Sequence, residues 1–89
     1  MSETREHRLK RLHMRSIRRG SKEMDLILSR FAETRLRSLT DAELDQYEAL
    51  LQEADQDLYT WVSGQVEPPA HFNQMIADIY ANHMKTGAT

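Results

Sequence analysis

"LTDAELDQYEALL", residues 39 to 51, decides the class of fold. Thr40 has the hydroxyl that a helix N-cap favours, and Glu43 follows at the spacing that lets its carboxylate reach back to the cap amide. Leu39 and Leu44 stand at the staple positions on either side of the cap. Asp41 and Glu43 add negative charge near the positive end of the helix dipole. Leu44, Tyr47 and Leu51 then continue as one inward stripe.

The same pattern repeats on both sides of this stretch. Met24, Ile27, Leu28 and Phe31 fall at i, i+3, i+4 and i+7, which predicts a helix that starts just after Gly20 and fades within residues 33–38. Residues 5–17 read as an earlier helix whose few apolar positions are Leu9, Leu12 and Ile17. Downstream, "DQDLYTWVSG" (residues 55–64) predicts a short helix capped by Asp55 or Asp57. Leu58, Trp61 and Val62 face its core side, Tyr59 lies off that stripe on an exposed side, and Gly64 is placed to end it in a left-handed conformation. Pro68 and Pro69 keep residues 66–70 out of a helix. A last helix over about residues 71–84 brings Phe72, Ile76, Ile79 and Tyr80 to one side. The expected fold is all-α: a small five-helix bundle with short connections, forming a single domain over residues 1–89. A basic extension of about residues 1–7 and a tail of about residues 85–89 flank it.

Composition narrows the function. The chain has no cysteine, which excludes disulfides, thiol catalysis and cysteine-ligated zinc. Its longest apolar runs are far shorter than the roughly 20 residues of a membrane span, so no membrane insertion is expected. The opening stretch "MSETREHRLKRLHMRSIRR" is rich in arginine, as mitochondrial presequences are. Glu3 and Glu6 interrupt it and no spacer separates it from the first motif, so the expected location is the bacterial cytoplasm rather than the mitochondrial matrix.

A net charge of −2 conceals a strong asymmetry. Residues 1–22 contain eight Lys/Arg against two Glu, whereas residues 23–89 contain four Lys/Arg against twelve acids. Two readings follow from this: a basic face that meets an anionic partner, or two ends that attract each other within the fold. The carboxylates of the 41–51 helix read as a solvated face. Catalytic patterns are missing: there is no phosphate-cradling glycine loop and no nucleophile elbow, and no two of the four histidines have the i, i+4 spacing of paired metal ligands. No enzyme activity, bound cofactor or metal is expected. Nucleic acid is not expected as a partner, because the acidic remainder repels a polyanion and the basic segment lacks interleaved aromatics.

"RRGSKEMD", residues 18–25, is the joint between the first two helices. Gly20 permits a tight reversal. With Gly20 as N-cap, Glu23 sits beside the unpaired amides of the second helix; with Ser21 as cap, Asp25 takes the nearby position. Arg18 and Arg19 have no evident intramolecular role in either version.

At this joint the sequence resembles the SdhE family, the succinate dehydrogenase assembly factors that promote flavinylation. Arg19-Gly20-Ser21-Lys22-Glu23 is similar to the RGxxE motif of that family, and the likeness continues through "RRGSKEMD", "LTDAEL", "LLQEADQDLYTW" and the prolines before the last helix, across roughly residues 8–80. The resemblance implies a five-helix protein, itself no enzyme and expected to be a monomer. Such a protein binds the flavoprotein subunit of succinate dehydrogenase, and sometimes that of fumarate reductase, and assists covalent attachment of the partner's FAD to a histidine of that subunit. Carried over by position, Arg19, Gly20 and Glu23 form the core of the partner-binding surface, with Arg18, Asp25, Asp57 and Tyr59 as neighbours. Gly20 then lets two backbones approach, and Arg19 offers a planar fork to the partner. The alternative reading is a small nucleic-acid-binding or antitoxin-type regulator that uses the basic N-terminal helix.

Overall fold

The computed structural model describes residues 3–17 and 19–87, the last two by backbone alone. Five helices follow in order: α1 (Arg5–Ile17), α2 (Lys22–Arg35), α3 (Asp41–Leu50), α4 (Asp55–Val62) and α5 (Asn73–Gly87). Single 3-10 turns at Leu36–Ser38 and Ala70–Phe72 close the joints before α3 and α5. The chain is thus all-α among the described residues, as the apolar spacing predicts. No described helix is long and apolar enough to cross a membrane.

The capping box that opens α3 forms in full. The Glu43 amide donates to Thr40 Oγ1 at 3.1 Å, and the Thr40 amide donates to Glu43 Oε1 at 2.8 Å. Gly64 ends α4 with φ of 83°, the left-handed region in which a side chain is strained. The cap of α4 differs from expectation. Ala54 occupies that position without a side-chain hydrogen bond, and neither Asp55 nor Asp57 caps the helix. The carboxylate of Asp55 is turned instead toward the α1–α2 joint.

α2 is the hub, packed between α1 on one side and α4 and α5 on the other. Met24, Leu28, Phe31, Leu44, Leu50 and Leu58 are fully buried in one cluster. Tyr47 from α3 enters the same cluster, its ring 5.4 Å from that of Phe31. Buried phenols need a hydrogen-bond partner, and Tyr47 has one in the buried Ser16 of α1, at 2.6 Å between oxygens. The Ser16 hydroxyl in turn donates to the Leu12 carbonyl at 2.7 Å, so the Tyr47 hydroxyl is the group left to donate. Ser16 therefore takes the inward position that the sequence assigns to Ile17, which is only half-buried. Trp61 is half-buried against the cluster and tilted on Phe72 at 6.0 Å. Tyr80, expected inside, is 47% exposed.

The charge asymmetry resolves inside the molecule. Arg5, Arg8 and Arg11, one helical turn apart along α1, reach across to Asp41, Asp45 and Glu48 along α3 at 2.6–3.1 Å. Arg11 also pairs with Glu3 at 2.8 Å, and Arg37 pairs with Glu6 at 2.8 Å. The acids of α3 are therefore one side of an ion-pair ladder and not a merely solvated face. The Arg11 guanidinium donates to Glu48, and chiefly for that reason the Glu48 carboxyl is held below the usual glutamate range.

Candidate functional site: the corner between α1, α2 and α4

α1 stops at Ile17, and the chain turns through residues 19–21 before α2 begins at Lys22. Ser21 is the N-cap, its Oγ accepting from the Met24 amide at 3.4 Å. This selects the second of the two capping versions.

Arg19 has the intramolecular role that the sequence does not show. Its Nε donates to Asp55 Oδ1 at 2.6 Å, while Nη1 and Nη2 donate to the carbonyls of Leu51 and Glu53 at 2.9 and 3.0 Å. Carbonyls at a helix C-terminus lack helical partners and lie at the negative end of the dipole, so a guanidinium there satisfies both needs. The second oxygen of Asp55 accepts the Ser21 amide at 2.9 Å. One arginine and one aspartate thus bind the α1–α2 joint to the α3–α4 joint. Their side chains are 12% and 17% exposed, so the fork is committed within the chain rather than held out to a partner.

Gly20 lies exposed on top of this clasp. Its φ is not in the left-handed region, and an added Cβ would meet only Asp55 Oδ2 at 3.7 Å, an ordinary contact. The fold does not require a glycine here. A bare backbone at this point leaves room for something to come close.

Beside Gly20 opens a hollow of about 600 Å³ whose lining includes Ser21, Glu23, Asp55, Gln56, Tyr59 and Thr60. Glu23 is exposed and in no ion pair among the described residues; Tyr59 is 38% exposed. The structure therefore unites Arg19, Gly20, Glu23 and Tyr59 at one corner. It does not bring Asp25 there, since Asp25 borders a separate hollow with Lys22, Leu26 and Ser29. Asp57 is exposed but lines no part of the corner. Arg18 lies outside the described residues. Asp55, which sequence reading treats only as a possible helix cap, is the central acid of the site. Its signal is weak: an acid in the first turn of α4, at the right chain distance to meet the α1–α2 joint.

The family model described as flavinator of succinate dehydrogenase, Sdh5, matches residues 10–83. The chain belongs to this family. Similar proteins include the mitochondrial succinate dehydrogenase assembly factor 2 of Meyerozyma guilliermondii, 51% identical over 68% of this chain and 45% of the relative. The factor of the same name from Mycosarcoma maydis is 42% identical over 80% of this chain and 30% of its own. That from Dictyostelium discoideum is 34% identical over 85% and 54%. The chain thus matches between about a third and a half of the length of these relatives. Their names overturn one expectation. The relatives are mitochondrial proteins of eukaryotes, so the bacterial cytoplasmic location inferred from the interrupted arginine-rich start does not stand. Arginines spaced along a helix to meet acids of another helix give the same composition as a targeting segment, and composition alone does not separate the two.

Proposed function

We propose that this chain is an assembly factor that binds the flavoprotein subunit of succinate dehydrogenase and promotes covalent attachment of FAD to it. The observation that carries this reading is Gly20. Its backbone conformation and surroundings accept a side chain, yet it is bare, and it adjoins an exposed aromatic ring and a carboxylate, Glu23, that is in no ion pair among the described residues. A flat, uncrowded corner with an aromatic anchor suits close approach by another protein. The flavin and the partner supply the bond-forming chemistry; this chain acts as a binding protein and not as an enzyme, holding its partner in a geometry that favours reaction. FAD belongs to the partner subunit, and the flavoprotein subunit of fumarate reductase is a second partner of the same kind. The chain acts as a monomer, and the mitochondrial names of its relatives support the same compartment for it.

The test is reconstitution of the flavoprotein subunit with FAD, scored by in-gel flavin fluorescence with and without this protein. Gly20→Arg and Glu23→Ala are expected to lower covalent flavin roughly tenfold or more, with melting unchanged within about 0.5 kcal/mol. Full flavinylation by both variants, or no dependence on the wild-type chain, would refute the proposal. The nucleic-acid alternative loses its basis, because Arg5, Arg8 and Arg11 are already neutralised by α3.

A further inference from the structure

The hollow beside Gly20 does not end at Tyr59. A second hollow of about 140 Å³ shares Glu23 and Tyr59 with it and runs on to Val62, Ser63, Tyr80 and His83. A third, of about 300 Å³, shares Val62, Ser63 and Tyr80 and reaches Trp61 and Pro68. The three form one track across α4 and α5, acidic at the Gly20 end and aromatic at the other. Tyr80 at its middle is 47% exposed although the spacing of α5 points it inward.

Among the described residues, His83 is the only basic group lining this track, and the formal charges around it are negative. From Ser38 to Met84 the sequence contains no lysine or arginine, and nine acids. Asp41, Asp45, Glu48 and Asp55 are neutralised by arginines of residues 5–19. Glu23, Asp57, Glu67 and Asp78 are in no ion pair among the described residues. Lys22, next to Glu23 in sequence, borders a different hollow, and Arg19 is committed to its clasp. A pyrophosphate or a nucleic acid is repelled by such a surface; a cationic side chain is attracted to it. Glu23 beside the Tyr59 ring fits a guanidinium in particular, which is planar, pairs with a carboxylate and stacks on an aromatic face.

We propose that the track from Glu23 through Tyr59 to Tyr80 and Trp61 seats an arginine-bearing segment of the partner protein. The guanidinium pairs with Glu23 against Tyr59, and a following apolar side chain enters the hollow between Tyr80 and Trp61. This deepens the reading of the chain as a flavoprotein-binding factor and, for the partner's identity, rests on it.

Two measurements test the proposal. In the first, the full chain is titrated with the peptide acetyl-Gly-Arg-Gly-Phe-amide and with its citrulline counterpart, which keeps the shape and loses the charge, followed by amide NMR. Saturable shifts at Glu23, Tyr59, Thr60 and Tyr80 are expected with the arginine peptide. They should be weaker by roughly tenfold with citrulline or in Glu23→Gln. In the second, affinity for the flavoprotein subunit of succinate dehydrogenase is measured for Glu23→Gln and Tyr80→Ala, each expected to fall roughly tenfold, with melting unchanged for the exposed Glu23 and only slightly lowered for the half-exposed Tyr80. Equal response to both peptides, shifts elsewhere on the surface, or full affinity in both variants overturns the track. A wild-type chain that does not bind the subunit at all refutes the flavoprotein reading, and the peptide titration then still decides whether the track takes arginine.

Discussion

Arg19 shows how a side chain can shape a surface from within the chain. Its guanidinium ends α3, holds Asp55 and, through Asp55, fixes the Ser21 amide. Removing one member of a nearly buried charged pair leaves the other uncompensated, at a cost of roughly 3 kcal/mol. Arg19→Ala should therefore lower stability by about that amount, seen as an earlier urea midpoint at unchanged slope. Arg19→Lys should recover less than half, because an ammonium lacks the fork that reaches Asp55 and two carbonyls together. An Arg19→Ala chain with wild-type stability would mean that the clasp is ornamental. Loss of flavinylation in Arg19 variants is thus ambiguous, whereas loss in Gly20 or Glu23 variants is not. The sequence made Gly20, Glu23 and Tyr59 legible as surface residues. It did not reveal the clasp, because nothing local to residue 19 says that a loop thirty-odd positions later will present two carbonyls and a carboxylate to it.

Between elements, the α1–α3 ladder joins two helices by long side chains. Arg8 and Arg11 converge on Glu48, whose lowered carboxyl pKa gives the expected direction with pH. The folded state prefers the ionised form more than the unfolded state does. Its contribution is therefore complete above the ordinary glutamate pKa and is lost as pH falls through the depressed value. The pair is partly solvated, so the size is about 1 kcal/mol or less and shrinks with salt. Glu48→Gln should lower the melting temperature slightly at pH 7 and flatten its decline in acid; an unchanged acid slope would contradict the ladder. Helix positions were readable because each helix declares itself locally: the capping box at Thr40, the stripe from Met24 to Phe31, the stop at Gly64. The ladder was not, since a periodic row of arginines looks alike whether it meets phosphate, membrane or another helix. Tyr80 misled for a related reason: its spacing is that of a buried position, yet α4 leaves that flank of α5 uncovered.

For the whole molecule, Tyr47 is where α1, α2 and α3 meet. Burial pushes its phenol up to about 12. A folded-state pKa above the unfolded value of roughly 10 gives stability that is complete below pH 10 and lost as pH rises toward 12. The loss is on the order of 2–3 kcal/mol, a large share of what a domain this small commands. Unfolding between pH 10 and 12 should accordingly be global, with helix circular dichroism and Trp61 fluorescence changing together. Tyr47→Phe should remove most of that slope while costing about 1 kcal/mol at neutral pH for the hydrogen bond to Ser16. If the variant keeps the full alkaline slope, some other group is responsible.

The lysine-free and arginine-free stretch from Ser38 to Met84 has a practical side. Amine-reactive cross-linkers can anchor only at Lys10, Lys22, Lys85 or the chain terminus, and trypsin has no cut site between Arg37 and Lys85. A complex probed with those reagents would leave α4 and all of α5 before Lys85 silent even when that face is fully engaged. Carboxylate-directed coupling at Glu23 and Asp57, with cleavage after glutamate, would make that face audible.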